Sequence, residues 1–114
     1  MYIYNVQVHR VVDGDTVDVE IDLGFEIHYK ARVRLEGIDT PETRTKDKEE
    51  KVAGLAAKRR LTSLVLDAKD VTIQTQYDKR GKFGRVLGTL FLGDVNINQK
   101  LLDEGHAKVY GEKG

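Results

Sequence analysis

From residue 2 to residue 12 apolar and polar positions alternate, with Tyr4, Val6, Val8 and Val12 on one side and Asn5, Gln7 and His9 on the other. That two-residue period belongs to a half-buried strand. Asp13-Gly14-Asp15 is a turn signal, after which Val17, Val19, Ile21 and Leu23 face in and Thr16, Asp18, Glu20 and Asp22 face out. Asp15 shares the parity of the apolar set. A carboxylate in that phase needs hydrogen bonds or a cation, which the rim of a barrel or sheet can provide. Gly24-Phe25 turns the chain into a third strand, Tyr29 to Leu35, with Val33 and Leu35 inward. The same parity carried two steps further reaches Gly37 and Asp39.

Thr45 to Lys51 contains no apolar residue and reads as a loop leading into a helix from about Glu49 to Leu66, in which Ala53, Ala57, Leu61, Leu64 and Ala68 recur at spacings of three and four. Gly54 weakens that helix. The triplet Lys58-Arg59-Arg60 reads as a solvated helix face. Val71, Ile73 and Thr75 predict a fourth strand and Val86 to Leu92 a fifth, separated by the basic loop Tyr77 to Arg85. After a Gly93-Asp94 turn, Asn98 is a good N-cap for a short helix carrying Leu101 and Leu102, Gly105 is a good C-cap, and His106 to Tyr110 can return to the sheet. The pattern predicts an α+β fold: a five-stranded Greek-key β-barrel of the OB type, with one helix after strand 3 and a short helix near the C-terminus. Residues 1–114 make one domain on this reading.

The absence of cysteine excludes disulfides and thiolate zinc sites and leaves the compartment open, secreted or cytoplasmic. No apolar run approaches the roughly 20 residues of a spanning helix, and Met1-Tyr-Ile-Tyr-Asn lacks the basic start and apolar core of a signal peptide. A soluble monomer with no membrane partner is the expectation. Nineteen basic and nineteen acidic residues cancel, so the chain lacks the overall positive charge of a scaffold that binds duplex by electrostatics alone. The charges are segregated, however. Asp13, Asp15, Asp18, Glu20 and Asp22 form an acidic stretch, and Lys79, Arg80, Lys82 and Arg85 a basic one.

Candidate chemistry concentrates in Arg34-Leu-Glu-Gly-Ile-Asp39-Thr40-Pro41-Glu42, around the only proline of the chain. Gly37 releases the backbone from the strand, and Pro41 fixes its own φ and extends Thr40, which makes a stiff corner. Such a corner can aim the Asp39 carboxylate, the Thr40 carbonyl and the Glu42 carboxylate into one volume while Arg34 reaches in from the strand. Hard oxygen ligands suit a divalent cation such as Ca²⁺, and a planar guanidinium suits phosphate.

Val12-Asp-Gly-Asp-Thr-Val17, Arg34 to Glu42, Lys82-Phe-Gly-Arg85 and Asn98 to Tyr110 together resemble the staphylococcal nuclease (thermonuclease) family in order and approximate spacing over nearly the whole chain. The resemblance implies Ca²⁺-dependent hydrolysis of DNA and RNA phosphodiesters to 3′-phosphate and 5′-hydroxyl ends. It implies that Asp15 and Asp39 ligate the calcium with the Thr40 carbonyl, that Glu42 orients or deprotonates the attacking water, and that Arg34 and Arg85 grip the phosphate. Asp13 is similar to an acid behind the ligands, and Lys82 to a residue near a nucleotide's terminal phosphate. Phe83 stands where the family often has a tyrosine, Gly111 replaces an aromatic position, and Tyr110 is the nearby substitute for base stacking. The chain also stops where longer members continue into a further helix, so a less stable domain and a slower enzyme are expected.

A non-catalytic OB-fold module that binds single-stranded nucleic acid or serves as a scaffold is the competing reading. The joint presence of Asp15, Arg34, Asp39, Glu42 and Arg85 favours the enzyme, because a pure binder gains nothing from acids that repel nucleic acid. A purely structural calcium leaves both arginines without a role. His9, His28 and His106 lack ligand spacing and read as surface or rim residues.

Overall fold

The chain runs β1 (Tyr2–Asp13), β2 (Thr16–Asp22), β3 (His28–Leu35), β4 (Ile38–Asp39), α1 (Lys48–Val65), β5 (Val71–Gln76), β6 (Arg85–Leu92), β7 (Val95–Asn96), α2 (Ile97–Asp103) and β8 (Lys108–Val109). The structure is a computed structural model that describes residues 2–76 and 85–110, with the side chains of Tyr2, Gln76 and Arg85 outside that description. Strands β3, β2, β1, β5 and β6 are neighbours in that order, and a parallel pairing of β3 with β6 closes them into a five-stranded mixed barrel. The closure removes the free edges that an open sheet would expose. β7 extends β6, and β4 and β8 form a separate two-stranded ribbon. The α+β barrel expected from the sequence is what forms, with its helices after β3 and near the C-terminus. Among the described residues no helix is long and apolar enough to cross a membrane.

Inward residues of the strands fill the barrel: Val17, Val33, Leu35, Ile73 and Leu90 are fully buried, and Leu61 and Val65 of α1 and Ile97 and Leu101 of α2 close its ends. β1 differs from simple alternation. Its register with β2 slips between Val8 and Arg10, and this bulge moves the inward phase by one residue, so that Val11 is buried in place of the expected Val12. Leu23 also departs from expectation. β2 ends at Asp22, and Leu23 is exposed in the turn that follows.

Asp47 caps α1 by accepting from the Glu49 and Glu50 amides at 3.0 and 3.2 Å. The helix buries Gly54, Ala57, Leu61 and Val65, a stripe at spacings of three and four; Ala57 and Leu61 fall where expected, Leu64 and Ala68 pack at its margin, and Ala53 is exposed. Asn96, one residue before α2, caps that helix by accepting from the Gln99 amide at 3.0 Å, not the expected Asn98. Asn98 is buried instead. It accepts from the Leu90 amide at 3.2 Å and donates to the Glu36 and Gly88 carbonyls at 2.9 and 3.3 Å, so one side chain satisfies backbone groups of β6 and of the turn after β3. Gly105 ends α2 as expected, at φ 79°, with its amide on the Leu102 carbonyl and the His106 amide on that of Leu101.

Candidate active site

Two turns of the chain meet at one end of the barrel. Thr16 stands opposite Arg34 in the β2–β3 register, and the Leu35 amide donates to the Asp15 carbonyl at 2.8 Å. The β1–β2 turn is thereby fixed against the end of β3. Across this junction the Thr40 amide donates to Asp15 Oδ2 at 3.1 Å, the Thr16 hydroxyl donates to Asp15 Oδ1 at 3.0 Å, and the Thr43 hydroxyl donates to Asp13 Oδ1 at 2.5 Å. Asp15 is thus buried with partners on both oxygens, which resolves why a carboxylate has the parity of the apolar face.

Arg34 stands between two acids. Its Nη1 lies 3.5 Å from Asp15 Oδ2 and donates to the Leu35 carbonyl at 3.0 Å, while Nη2 lies 3.5 Å from Asp39 Oδ1. Its side chain is 13% exposed, and its Cζ sits 5.5 Å from the centre of the Tyr110 ring. The ion-pair distances are longer than the 2.7–2.9 Å of tight charge-assisted bonds, so both carboxylates keep lone pairs for another ligand. Asp13, Asp15, Arg34, Asp39, Thr40, Pro41 and Glu42 line one cavity of about 240 Å³.

Asp39 enters this cavity by a different route from simple strand parity. Gly37 adopts φ 80°, in the left-handed region, and this breaks the alternation: Ile38 is buried and the Asp39 side chain stays 44% exposed at the cavity wall. The β4–β8 ribbon then fixes Asp39 opposite Lys108, and the Tyr110 amide donates to the Gly37 carbonyl at 3.0 Å.

Of the residues singled out from sequence, Asp13, Asp15, Arg34, Asp39, Thr40 and Glu42 are brought together and Tyr110 lies over Arg34. The backbone of Arg85 opens β6 in register with Arg32 of β3, and its side chain lies outside the described residues, as do Lys82, Phe83 and Gly111. His9 and His28 stand half-exposed on either side of Glu20, at 3.4 and 3.2 Å, as the surface residues expected. Arg60, expected to be solvated, holds Glu104 of the turn after α2 through two bonds of 2.7 and 2.9 Å.

Two glycines, Gly14 expected only as part of a turn and Gly54 only as a weakness in the helix, shape the site. A Cβ on Gly14 would stand 2.7 Å from Ala57 Cβ and 3.0 Å from Thr40 Oγ1, and one on Gly54 would stand 2.5 Å from the Glu42 carbonyl oxygen. Each lets helix α1 approach the corner that carries Thr40 and Glu42. A glycine inside a helical pattern was the available signal, since it marks close backbone approach. The Thr40 hydroxyl is buried without a hydrogen-bond partner among the described residues, a cost of about 1–3 kcal/mol accepted at this corner.

The acidic side chains lining the cavity offer hard oxygens, the kind of donor that a Ca²⁺-type cation takes. Among the described residues no group of three or more His, Asp or Glu side chains gathers as a metal cluster.

The Arg60–Glu104 pair joins α1 to the segment that leads into β8, and the guanidinium beside it holds the Glu104 carboxyl down at about 2, below its usual 4.5, with Lys100 at 3.4 Å adding to the effect. The folded value is the lower one, so its contribution to stability is present above about 4.5 and is lost as pH falls towards 2. Glu104→Gln should melt a few degrees below the wild type near neutral pH, with the gap closing in acid and shrinking in high salt because the pair is exposed. Melting curves at several pH values check this; a gap that ignores pH would rule the ion pair out as its cause.

The family model described as "Staphylococcal nuclease homologue" matches residues 32–114. Among individual proteins, the chain is 38% identical over 101 residues to the Thermonuclease of Staphylococcus intermedius, covering 89% of this chain and 56% of that protein. It is 33% identical over 108 residues to Endonuclease YncB of Bacillus subtilis (strain 168), covering 92% and 47%, and 34% identical over 108 residues to the Thermonuclease of Staphylococcus hyicus, covering 90% and 57%. The chain spans about half the length of these relatives. Since the matched residues 32–114 take in most of β3, the whole Asp39–Glu42 corner and every later element, the chain belongs to the staphylococcal nuclease family.

Proposed function

We propose that this chain is a Ca²⁺-dependent nuclease that hydrolyses DNA or RNA to fragments with 3′-phosphate and 5′-hydroxyl ends. The observation that carries the reading is the placement of Arg34 between Asp15 and Asp39 in a cavity that, among the described residues, is lined by the Asp13–Asp15 turn, Arg34 and the Asp39–Glu42 corner. Relatives named thermonuclease and endonuclease support it.

In this reading Asp15, Asp39 and the Thr40 carbonyl hold the cation, with Asp13 behind them bonded to Thr43. A cation held by these residues would supply positive charge for the developing anion and would make water more acidic. Arg34 holds a non-bridging oxygen of the scissile phosphate with paired donors, and Arg85 holds another and assists the departing oxygen. Glu42 orients a water and takes its proton as the water oxygen bonds to phosphorus. The bond from phosphorus to the 5′ oxygen breaks, its electron pair leaves with that oxygen, and a proton from solvent water gives the 5′-hydroxyl while Glu42 returns its proton to solvent. The phosphate remains on the 3′ side. Lys82, Phe83 and Tyr110 hold the substrate around this centre. Positive charge is needed because the pentavalent centre is more anionic than the diester, and preorganised donors act at that moment.

Incubation of single-stranded DNA with the protein in Ca²⁺ and in a chelator, followed by identification of fragment ends, tests the proposal. Cutting should require Ca²⁺, leave 3′-phosphates and fail with Glu42→Gln, which also controls for a contaminating nuclease. Cutting that survives chelation would overturn the metal-dependent mechanism. Binding without cutting across salt and alkaline pH would instead support the single-strand-binding module.

A further inference from the structure

Beside the cavity at Arg34 lies a larger hollow of about 540 Å³, walled on one side by the Asp39–Glu42 corner and on the other by the Gly105–Lys108 segment, with Glu50 entering from the first turn of α1. The two hollows share Asp39, Thr40, Pro41 and Glu42. If the scissile phosphate sits at Arg34, that shared wall gives a neighbouring nucleotide a path into the hollow, which is within the size range of small-molecule pockets.

Charge decides which part of the nucleotide belongs there. With Asp39 given to the cation in the reading above, Glu42 and Glu50 face the single ammonium of Lys108, with His106 also on the wall, so a second phosphate would still meet more carboxylate than ammonium. A nucleobase meets no such penalty. Its amino and imino N–H groups are donors that carboxylates accept, and Pro41 and Ala107 offer apolar surface.

Glu50 is the acid of this hollow that the proposed chemistry leaves unused; its place in the first turn of α1 suits the positive end of that helix but gives its oxygens no partner among the described residues. A glutamate three residues after an N-cap ordinarily turns back to accept from the cap's own amide. Here the Asp47 amide already donates to Thr45 Oγ1 at 3.2 Å, and the half-buried Glu50 side chain has no hydrogen bond or ion pair among the described residues. Its neighbour Glu49 is exposed and does not line the hollow.

We propose that this hollow is a base-binding subsite next to the cleavage position and that the Glu50 carboxylate selects the base, favouring guanine. Guanine places an imino and an amino donor side by side, which the two carboxylate oxygens accept together; thymine and uracil offer one imino donor, and adenine and cytosine an amino donor beside an acceptor that a carboxylate repels. The subsite rests on the nuclease reading above.

Digestion of a random-sequence single-stranded DNA pool, with sequencing of the fragment ends, tests it. The wild type should show guanine enriched roughly fivefold at one position flanking the cut, the low end of what a bidentate pair gives in a partly open site. Glu50→Gln should lose that enrichment while cutting at a rate within a few-fold of the wild type, and Glu49→Gln should keep it. The same base distribution for the wild type and Glu50→Gln, with cutting intact, would overturn the subsite alone. No cutting by the wild type would overturn the nuclease reading and the subsite with it. A Glu50→Gln protein that keeps the wild-type melting temperature separates loss of selection from loss of folding.

Discussion

Replacing Arg34 with lysine is expected to lower kcat on the order of 100-fold or more while changing substrate affinity little. Lysine keeps the positive charge and removes the fork. In the native site the two terminal nitrogens face different carboxylates, each at 3.5 Å, and Nη1 is also tied to the Leu35 carbonyl at 3.0 Å. A single ammonium cannot occupy both positions, nor present paired donors to a phosphate whose charge is rising. The side chain is largely buried and stacked near Tyr110, so solvent does not replace what the fork provides. Steady-state kinetics on single-stranded DNA gives the two parameters separately. A loss confined to KM would reduce Arg34 to a ground-state contact, and a loss below about tenfold would remove it from the chemistry altogether.

The barrel was legible because β2, the end of β3 and the start of β5 keep a two-residue period and its turns carry Gly and Asp. Asp13-Gly14-Asp15 and the Arg34–Glu42 stretch stand out in the sequence for a related reason, since carboxylates in an apolar phase beside an arginine have few structural uses, and the structure brings the two to one cavity. The departures arise wherever a period was carried across a break in the backbone. The β1 bulge adds one residue and turns Val11 inward, and the left-handed Gly37 does the same between Leu35 and Asp39. Asp39 does line the cavity, but through the left-handed Gly37 rather than by strand parity. Asn98 was misread because caps are local and visible in sequence, whereas its bonds to Leu90, Glu36 and Gly88 join segments up to 62 residues apart. The expected stripe of α1 is right at Ala57 and Leu61 but begins at Ala53, which is exposed, because a glycine does not register as an inward position in an apolar pattern. Its buried stripe includes Gly54, whose contribution is the absence of a side chain.

Gly54→Ala should therefore be a catalytic lesion in a position that looks suitable for alanine. Alanine is the better helix former by roughly 1 kcal/mol, and in an ordinary helix interior the change would stabilise. Here the new Cβ would stand 2.5 Å from the Glu42 carbonyl oxygen, 2.7 Å from the Glu42 carbonyl carbon and 2.8 Å from the Pro41 oxygen. All three are backbone atoms, so no rotamer change relieves the contact, and either α1 or the Pro41–Glu42 corner has to move. α1 is held from behind by the fully buried Ala57, Leu61 and Val65, which leaves the corner as the part that yields. A displacement near 1 Å at a reacting group is enough to cost on the order of 100-fold in rate, while the offsetting helix propensity keeps the change in melting temperature to a few degrees. The diagnostic measurement is a double-variant cycle with Glu42→Gln. If Gly54 acts by positioning Glu42, alanine at 54 should cost little further rate once that carboxylate is gone. The same fold-loss in both backgrounds would mean that the clash damages the site as a whole, and Gly54 would then be a packing residue with no particular tie to Glu42.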